Sequence, residues 1–229
     1  MVGNLESPPY TKCMTDEEFD ASLVAAAFSL GASEGWRKVS AASAARYAGL
    51  DLARARARFA GRAALLKRFG ALADAHALTG ALQEGSVKDR LFDILLRRFD
   101  FLQMNRAGVI ALFRVAPLEP ALGPWLAAET LASMGWMLEG AGVSSRGVRG
   151  EIRKRGLAAV WAWGVRAWLR DESEDLSATM AAIDTALLRA EQIASRFNRE
   201  TAAQEGFVPE VSTSEDEPAV TADLGLPQT

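Results

Sequence analysis

Apolar residues recur at helical spacing along most of the chain. Phe19, Leu23, Ala26, Ala27 and Leu30 mark one face of a helix. Thr15 and Glu18 have capping-box spacing, so that helix starts there and runs to about Gly31. Ser40 can cap a short helix over residues 41–48 that Gly49 stops, and Asp51 a third over 52–59 that Gly61 ends. A longer helix is expected over 62–83. Ser86 opens the next, over 87–104, with Leu91, Leu95, Phe99 and Leu102 as its apolar rows. A short helix over 106–115 closes at Pro117 and Pro120. The apolar run 122–139 ends at Gly140 and Gly142, and Ser145 opens a helix over 146–169. The last helix, 175–197, turns Met180, Ile183, Leu187 and Ala190 inward. About nine helices, with no internal repeat, predict an all-α fold. Residues 1–14, with Pro8 and Pro9, read as a flexible lead-in, and residues 199–229 read as a disordered acidic tail.

Composition agrees with helices, since 43 of 229 residues are alanine. It also narrows the chemistry. A single cysteine, Cys13, excludes an intramolecular disulfide framework and a multi-cysteine zinc site. A single histidine, His76, excludes two-histidine metal ligation and is expected to be structural or exposed. No dinucleotide fingerprint, P-loop or nucleophile elbow occurs. A binding protein with no catalytic residue, metal or cofactor is therefore expected, rather than an enzyme. No apolar run approaches the ~18 residues of a membrane span, and residues 1–12 do not form a signal peptide. The expectation is a soluble, cytoplasmic protein without stable membrane insertion.

The net charge of −3 conceals a segregation. Residues 1–34 carry a net −5, residues 35–70 a net +8, residues 71–198 are balanced, and residues 199–229 carry −6. Nine bases against one acid in the second segment form an electrostatic footprint for an anionic partner. A solvated basic helix face is the plainer alternative.

The basic segment coincides with two short helices joined by a tight turn containing Gly49, the layout of a helix-turn-helix. The second helix would lie in the major groove while the first braces it. Leu52, Ala55 and Phe59 are expected to pack inward, leaving the arginines outside. Residues 26–66 resemble the DNA-binding domain of TetR-type repressors. Gly35–Trp36 matches that family's Gly–aromatic pair, and the turn Gly49, core Phe59 and closing Leu65–Leu66 fall in register without gaps. Arg56 stands where the family usually has a phosphate-binding Tyr, Arg62 where it has Lys, and Ala60 where it has Pro. The resemblance implies double-stranded DNA as partner, with Asp51, Arg54 and Arg58 facing bases and Lys38, Arg56 and Arg62 holding phosphates.

Residues 15–70 would form this domain, and residues 71–198 a larger helical domain for ligand binding and dimerisation. Phe101, Trp125, Met134, Met137 and Trp161 are the candidate lining of a pocket for a hydrophobic small molecule or lipid. Trp161, Val165 and Trp168 share one helix face and Trp163 lies off it. Apolar on nearly every side, that helix is expected to face its own core and a second copy at once, with Trp163, Trp168 and Leu187 at a homodimer interface. Plain core is the alternative for each of these residues. Residues 134–142, 155–168 and 171–176 also resemble the lipid-binding accessory proteins of ubiquinone biosynthesis, which share the TetR-type fold without DNA binding. That resemblance implies an isoprenoid or lipid cavity, although the acidic stretch 200–229 lacks the apolar stripe of a membrane-touching helix. The carboxylates Asp171, Glu172, Glu174 and Asp175 are read as dipole partners of the last helix. The leading expectation is a TetR-like homodimeric regulator released from DNA by a hydrophobic ligand; the alternative is the lipid-binding accessory protein.

Overall fold

A computed structural model describes residues 14–205 except Glu174, with side chains as far as residue 196. The expected lead-in up to residue 13, Glu174 and the tail beyond 205 lie outside the described residues. Among those described there are nine α-helices and no strand: α1 (Asp16–Ser33), α2 (Ala41–Ala48), α3 (Leu52–Arg58), α4 (Arg62–Leu78), α5 (Val87–Met104), α6 (Arg106–Val115), α7 (Leu122–Gly140), α8 (Gly147–Trp168) and α9 (Ser177–Glu205). Short 3-10 turns cover Trp36–Lys38 and Ala116–Leu118.

The caps fall where the side chains can make them. Thr15, Ser40 and Ser86 each form a reciprocal capping box, with Glu18, Ser43 and Asp89. Ser145 does not cap α8: its amide and hydroxyl both donate to Glu139 Oε1, each at 2.8 Å, so α8 starts at Gly147. Helix α4 ends at Leu78, five residues earlier than expected, because Gly80 takes a left-handed φ of 67° and reverses the chain there. The boundary expected at residue 70 falls inside this continuous helix.

The described residues up to Gln192 gather into one compact unit. Within it α1 packs on α2, α4 and α6, α4 packs on α5 and α7, and α7 packs on α8. Phe28 stacks on Phe69 at 3.8 Å between centroids and meets Trp36 edge-on at 4.8 Å. Farther along, Phe99 stacks on Trp161 at 4.4 Å and tilts against Trp168. On α9, Ile183 and Leu187 are buried, while Met180 and Ala190 are half-buried.

The turn before α9 is organised by the buried Asp171. Its carboxylate accepts from the Thr179 amide at 2.8 Å, the Thr179 hydroxyl at 2.7 Å and the Ser173 amide at 3.1 Å. Burial pushes this carboxyl up, but the hydrogen bonds from Ser173 and Thr179 outweigh it and hold the pKa down at about 2. An unfolded Asp titrates near ~3.9, so its contribution to stability is complete above that pH and is lost as pH falls toward about 2. In urea melts across that acid range, Asp171→Asn is expected to lose less stability than the wild type. Equal losses in the two proteins would refute this role.

Candidate nucleic-acid interface

Alanine makes the close packing of α2 possible, since Ala41, Ala44 and Ala45 are all buried. Gly49, at φ 66°, ends α2 in the left-handed region that side chains disfavour, and the Leu50 amide closes the turn on Ala45 O at 2.8 Å. Asp51 then caps α3, accepting from the Arg54 amide at 2.6 Å. Ala55 and Phe59 pack inward as expected. Leu52 does not: it is 43% exposed at the first position of the helix.

The arginines of α3 are placed differently from the sequence expectation. Arg54 donates to Asp16 Oδ1 at 2.5 Å and to Met14 O at 3.0 Å, with its guanidinium 4.5 Å above the Phe19 ring. Arg58 grips Asp20 with two hydrogen bonds, at 2.5 and 2.8 Å, and reaches Asp16 with a third at 2.6 Å. Arg68 of α4 adds an ion pair to Asp20 at 3.2 Å. Asp20 is buried, so a bidentate guanidinium satisfies a carboxylate that water barely reaches. The Arg54 hydrogen bond holds the Asp16 carboxyl below its ordinary pKa, and the Asp20 hydrogen bonds raise that of Arg58. Both arginines therefore turn toward α1 because two carboxylates, four residues apart, meet them there.

Arg62 is likewise engaged: it forms a forked pair with Glu119 and donates to Trp36 O at 3.1 Å. Lys38 reaches only Glu34, at 3.3 Å on an exposed surface, where such a pair contributes little. Arg56 is exposed and makes no ion pair among the described residues; the same holds for Arg46, beside the exposed Tyr47. Of the six residues expected to contact DNA, Lys38 and Arg56 are the available cations, Asp51 is a cap, and Arg54, Arg58 and Arg62 hold the protein together. Sequence reasoning passed over Arg46, Tyr47 and the partner acids. The matched i, i+4 spacing of Asp16/Asp20 and Arg54/Arg58 was the signal available. A cleft of about 360 Å³ beside α3 is lined by Asp20, Arg58, Lys67 and Arg68 among others.

The expected pocket and interface residues are sorted by burial. Met134 and Met137 are fully buried, Trp161 is buried under Arg98 and Phe99, and Phe101 and Trp125 are half-buried. They belong to the core in this structure, and none of them lines either the cleft beside α3 or another of about 340 Å³ near Gln103 and Leu176. Trp168 and Leu187 are buried within the protomer, which removes them from any outer seam, whereas Trp163 stays 50% exposed. His76 is exposed, with its ring 5.7 Å from that of Phe101.

No protein-family model and no curated protein matches the chain significantly. Among solved structures it is similar to the TetR transcriptional regulator of Nitrosomonas europaea, with a TM-score of 0.61 at 18% identity over 76% of this chain and 98% of that one. The fold is that of a TetR regulator. At this identity the likeness concerns the path of the backbone, while the chemistry rests on the side chains described above. The all-α TetR-type architecture expected from residues 26–66 thus extends over most of the chain. The matched structure is a regulator, and the resemblance to ubiquinone-biosynthesis accessory proteins gains no support from it. No helix among the described residues is long and apolar enough to cross a membrane, and none of their acidic, histidine or cysteine side chains cluster as a metal site would require.

Proposed function

We propose that this chain is a TetR-type, homodimeric DNA-binding regulator. The observation that carries the reading is the helix-turn-helix of α2 and α3, closed by the left-handed Gly49 and flanked by the exposed cations Arg46 and Arg56. In such a motif the second helix enters the major groove, and nearby cations contact phosphates. Lys38, Arg46 and Arg56 are the phosphate contacts in this reading. Genomic fragments selected on the purified protein should share a salt-sensitive site. Arg46→Ala/Arg56→Ala should weaken binding to all sequences alike and reduce the salt slope by about two. Failure to enrich any salt-sensitive site would sink the regulator reading.

A second copy is supported by exposed apolar side chains on one side of α8, which they share with the exposed Arg155 and Arg166. Val148, Ile152 and Trp163 are 80%, 64% and 50% exposed, and Ala159 lies exposed between them on the same side of the helix. Gly156, beside them, has open space where a Cβ would stand, which lets another backbone approach. Ile152→Asp/Trp163→Asp is expected to sediment as a monomer at about 10 μM, where the wild type sediments as a dimer. A wild type that is monomeric at that concentration removes the dimer from the proposal.

The helices after residue 70 serve in this reading as the ligand-responsive part. A hydrophobic effector would enter by parting Met134, Met137 and Trp161, which now pack against one another's neighbours in the core.

A further inference from the structure

We propose that the cleft bounded by α1, α3 and α4 is a binding site for a phosphate monoester, with Lys67 and Arg68 as the side chains that hold it. The site stands on its own geometry and does not depend on the DNA-binding reading above.

Asp20 of α1, Arg58 of α3 and, on α4, Ala64, Lys67, Arg68 and Ala71 are among the lining of this space of about 360 Å³. Its volume falls near the small end of ligand sites, which run from roughly 300 to 1,000 Å³. The sequence of α4 explains why the space is there. Residues four apart share a helix face, so Ala64 precedes Arg68 by one turn and Ala71 follows Lys67 by one. Neither methyl is long enough to fill the cleft.

The cations there are not equally committed. Arg58 grips both oxygens of Asp20, at 2.5 and 2.8 Å, and also pairs with Asp16. Arg68 arrives second at the same carboxylate. Its Nε is 3.2 Å from Asp20 Oδ2 but out of line for a hydrogen bond, and this buried nitrogen has no hydrogen-bond partner. Neither the Nη atoms of Arg68 nor Nζ of the exposed Lys67 makes a hydrogen bond or ion pair among the described residues. Only Asp16 and Asp20 pair with Arg54, Arg58 and Arg68, and Lys67 adds a further cation, which leaves two positive charges in excess. A phosphate monoester brings about −1.5 to −2 at neutral pH and three acceptor oxygens, whereas a phosphodiester brings a single charge. An arginine fork beside a lysine point charge is a donor set that suits it. Because Arg58 keeps both oxygens of Asp20 bonded, Arg68 can turn its Nη atoms to the ligand without orphaning a buried carboxylate.

The test titrates the full-length protein with glycerol 3-phosphate and, separately, with the diester dimethyl phosphate. Ionic strength is held constant with chloride, and the arginine Nε–H signals are followed by NMR. The Arg68 signal should move saturably with glycerol 3-phosphate and bind the diester more weakly. Lys67→Gln, a change at an exposed position, should weaken the monoester about tenfold, the loss of one hydrogen bond to a charged group. Arg68→Lys keeps the charge without the fork and should weaken it as well. No saturable shift at Arg68, or equal affinity in the wild type and Lys67→Gln, overturns the proposal. Equal affinity for the two esters overturns it too. A DNA salt slope lowered by about one in Lys67→Gln would then assign the cations to the duplex backbone instead. Failure to enrich any DNA site strikes the regulator reading and leaves this titration unaffected.

Discussion

Asp74→Ala is expected to lower stability by about 3–5 kcal/mol, and Tm by roughly 6–20 °C for a chain of this size. Arg98 is the reason. Its guanidinium is buried, 3.0 Å from Asp74 Oδ1 and 3.2 Å from Ser133 Oγ, and it lies 4.5 Å over the Trp161 ring. Ser133 in turn donates to Asp74 Oδ2 at 2.6 Å. Three helices, α4, α5 and α7, thus meet on one buried charge pair. Burial pushes Arg98 below its ordinary pKa, and Asp74 counters that, so removing Asp74 leaves a cation in the core with one hydroxyl for company. Replacing the whole group by apolar side chains of similar size has the opposite consequence. Asp74→Leu/Ser133→Ala/Arg98→Met is expected to melt close to or above the wild type, because no desolvated charge remains. Thermal and urea melts of the two variants decide the matter: a single substitution as mild as the triple one would contradict the account.

Trp36→Ala is expected to cost about 3–5 kcal/mol, the effect of emptying a large, fully packed aromatic site. Trp36 is 2% exposed, and its indole Nε1 donates to Gly108 O at 2.9 Å, tying the segment after α1 to α6. The fit is tight on both sides. A Cβ on Gly31 would come within 2.7 Å of the indole ring, and one on Gly108 would collide with the carbonyl of Phe28. Trp36→Phe should retain much of the ring packing against Phe28 but leave the Gly108 carbonyl without its donor, costing about 1–3 kcal/mol. Chemical denaturation of the three proteins should rank them wild type, Phe, Ala. A Phe variant as unstable as the Ala variant would show that the hydrogen bond, and not the ring, dominates.

The fold was legible because its signals are local. Thr15, Ser40, Asp51 and Ser86 cap helices within three residues of themselves, and Gly49 must adopt a left-handed φ wherever that turn forms. Where a distant partner intervened, the sequence pattern misled. Ser145 had the chemistry of a cap but found Glu139 first. Leu52 shares the side of Ala55 and Phe59, yet at the first position of the short α3 it lies beyond the packing that covers them and stays exposed. The candidate interface was only half legible for a related reason. Charge density located it, but density does not reveal which cations are already neutralised. Arg54 and Arg58 meet acids about forty residues away in sequence, and Arg62 meets Glu119, 57 residues away. Trp163 and Trp168 differ in the same manner: the sequence assigned both to an interface, and helix phase placed only one of them outside.

The acids on α1 bear on how a regulator of this kind would search a genome. Non-specific affinity scales with the number of phosphates a protein neutralises, and every non-target stretch of duplex competes on that basis. If α3 enters the groove as proposed, a helix with two of its three arginines already neutralised by Asp16 and Asp20 would be weakly held by arbitrary DNA. On that proposal the chain would leave wrong sites quickly, and its discrimination would depend on the few groups that touch base edges rather than on its total positive charge.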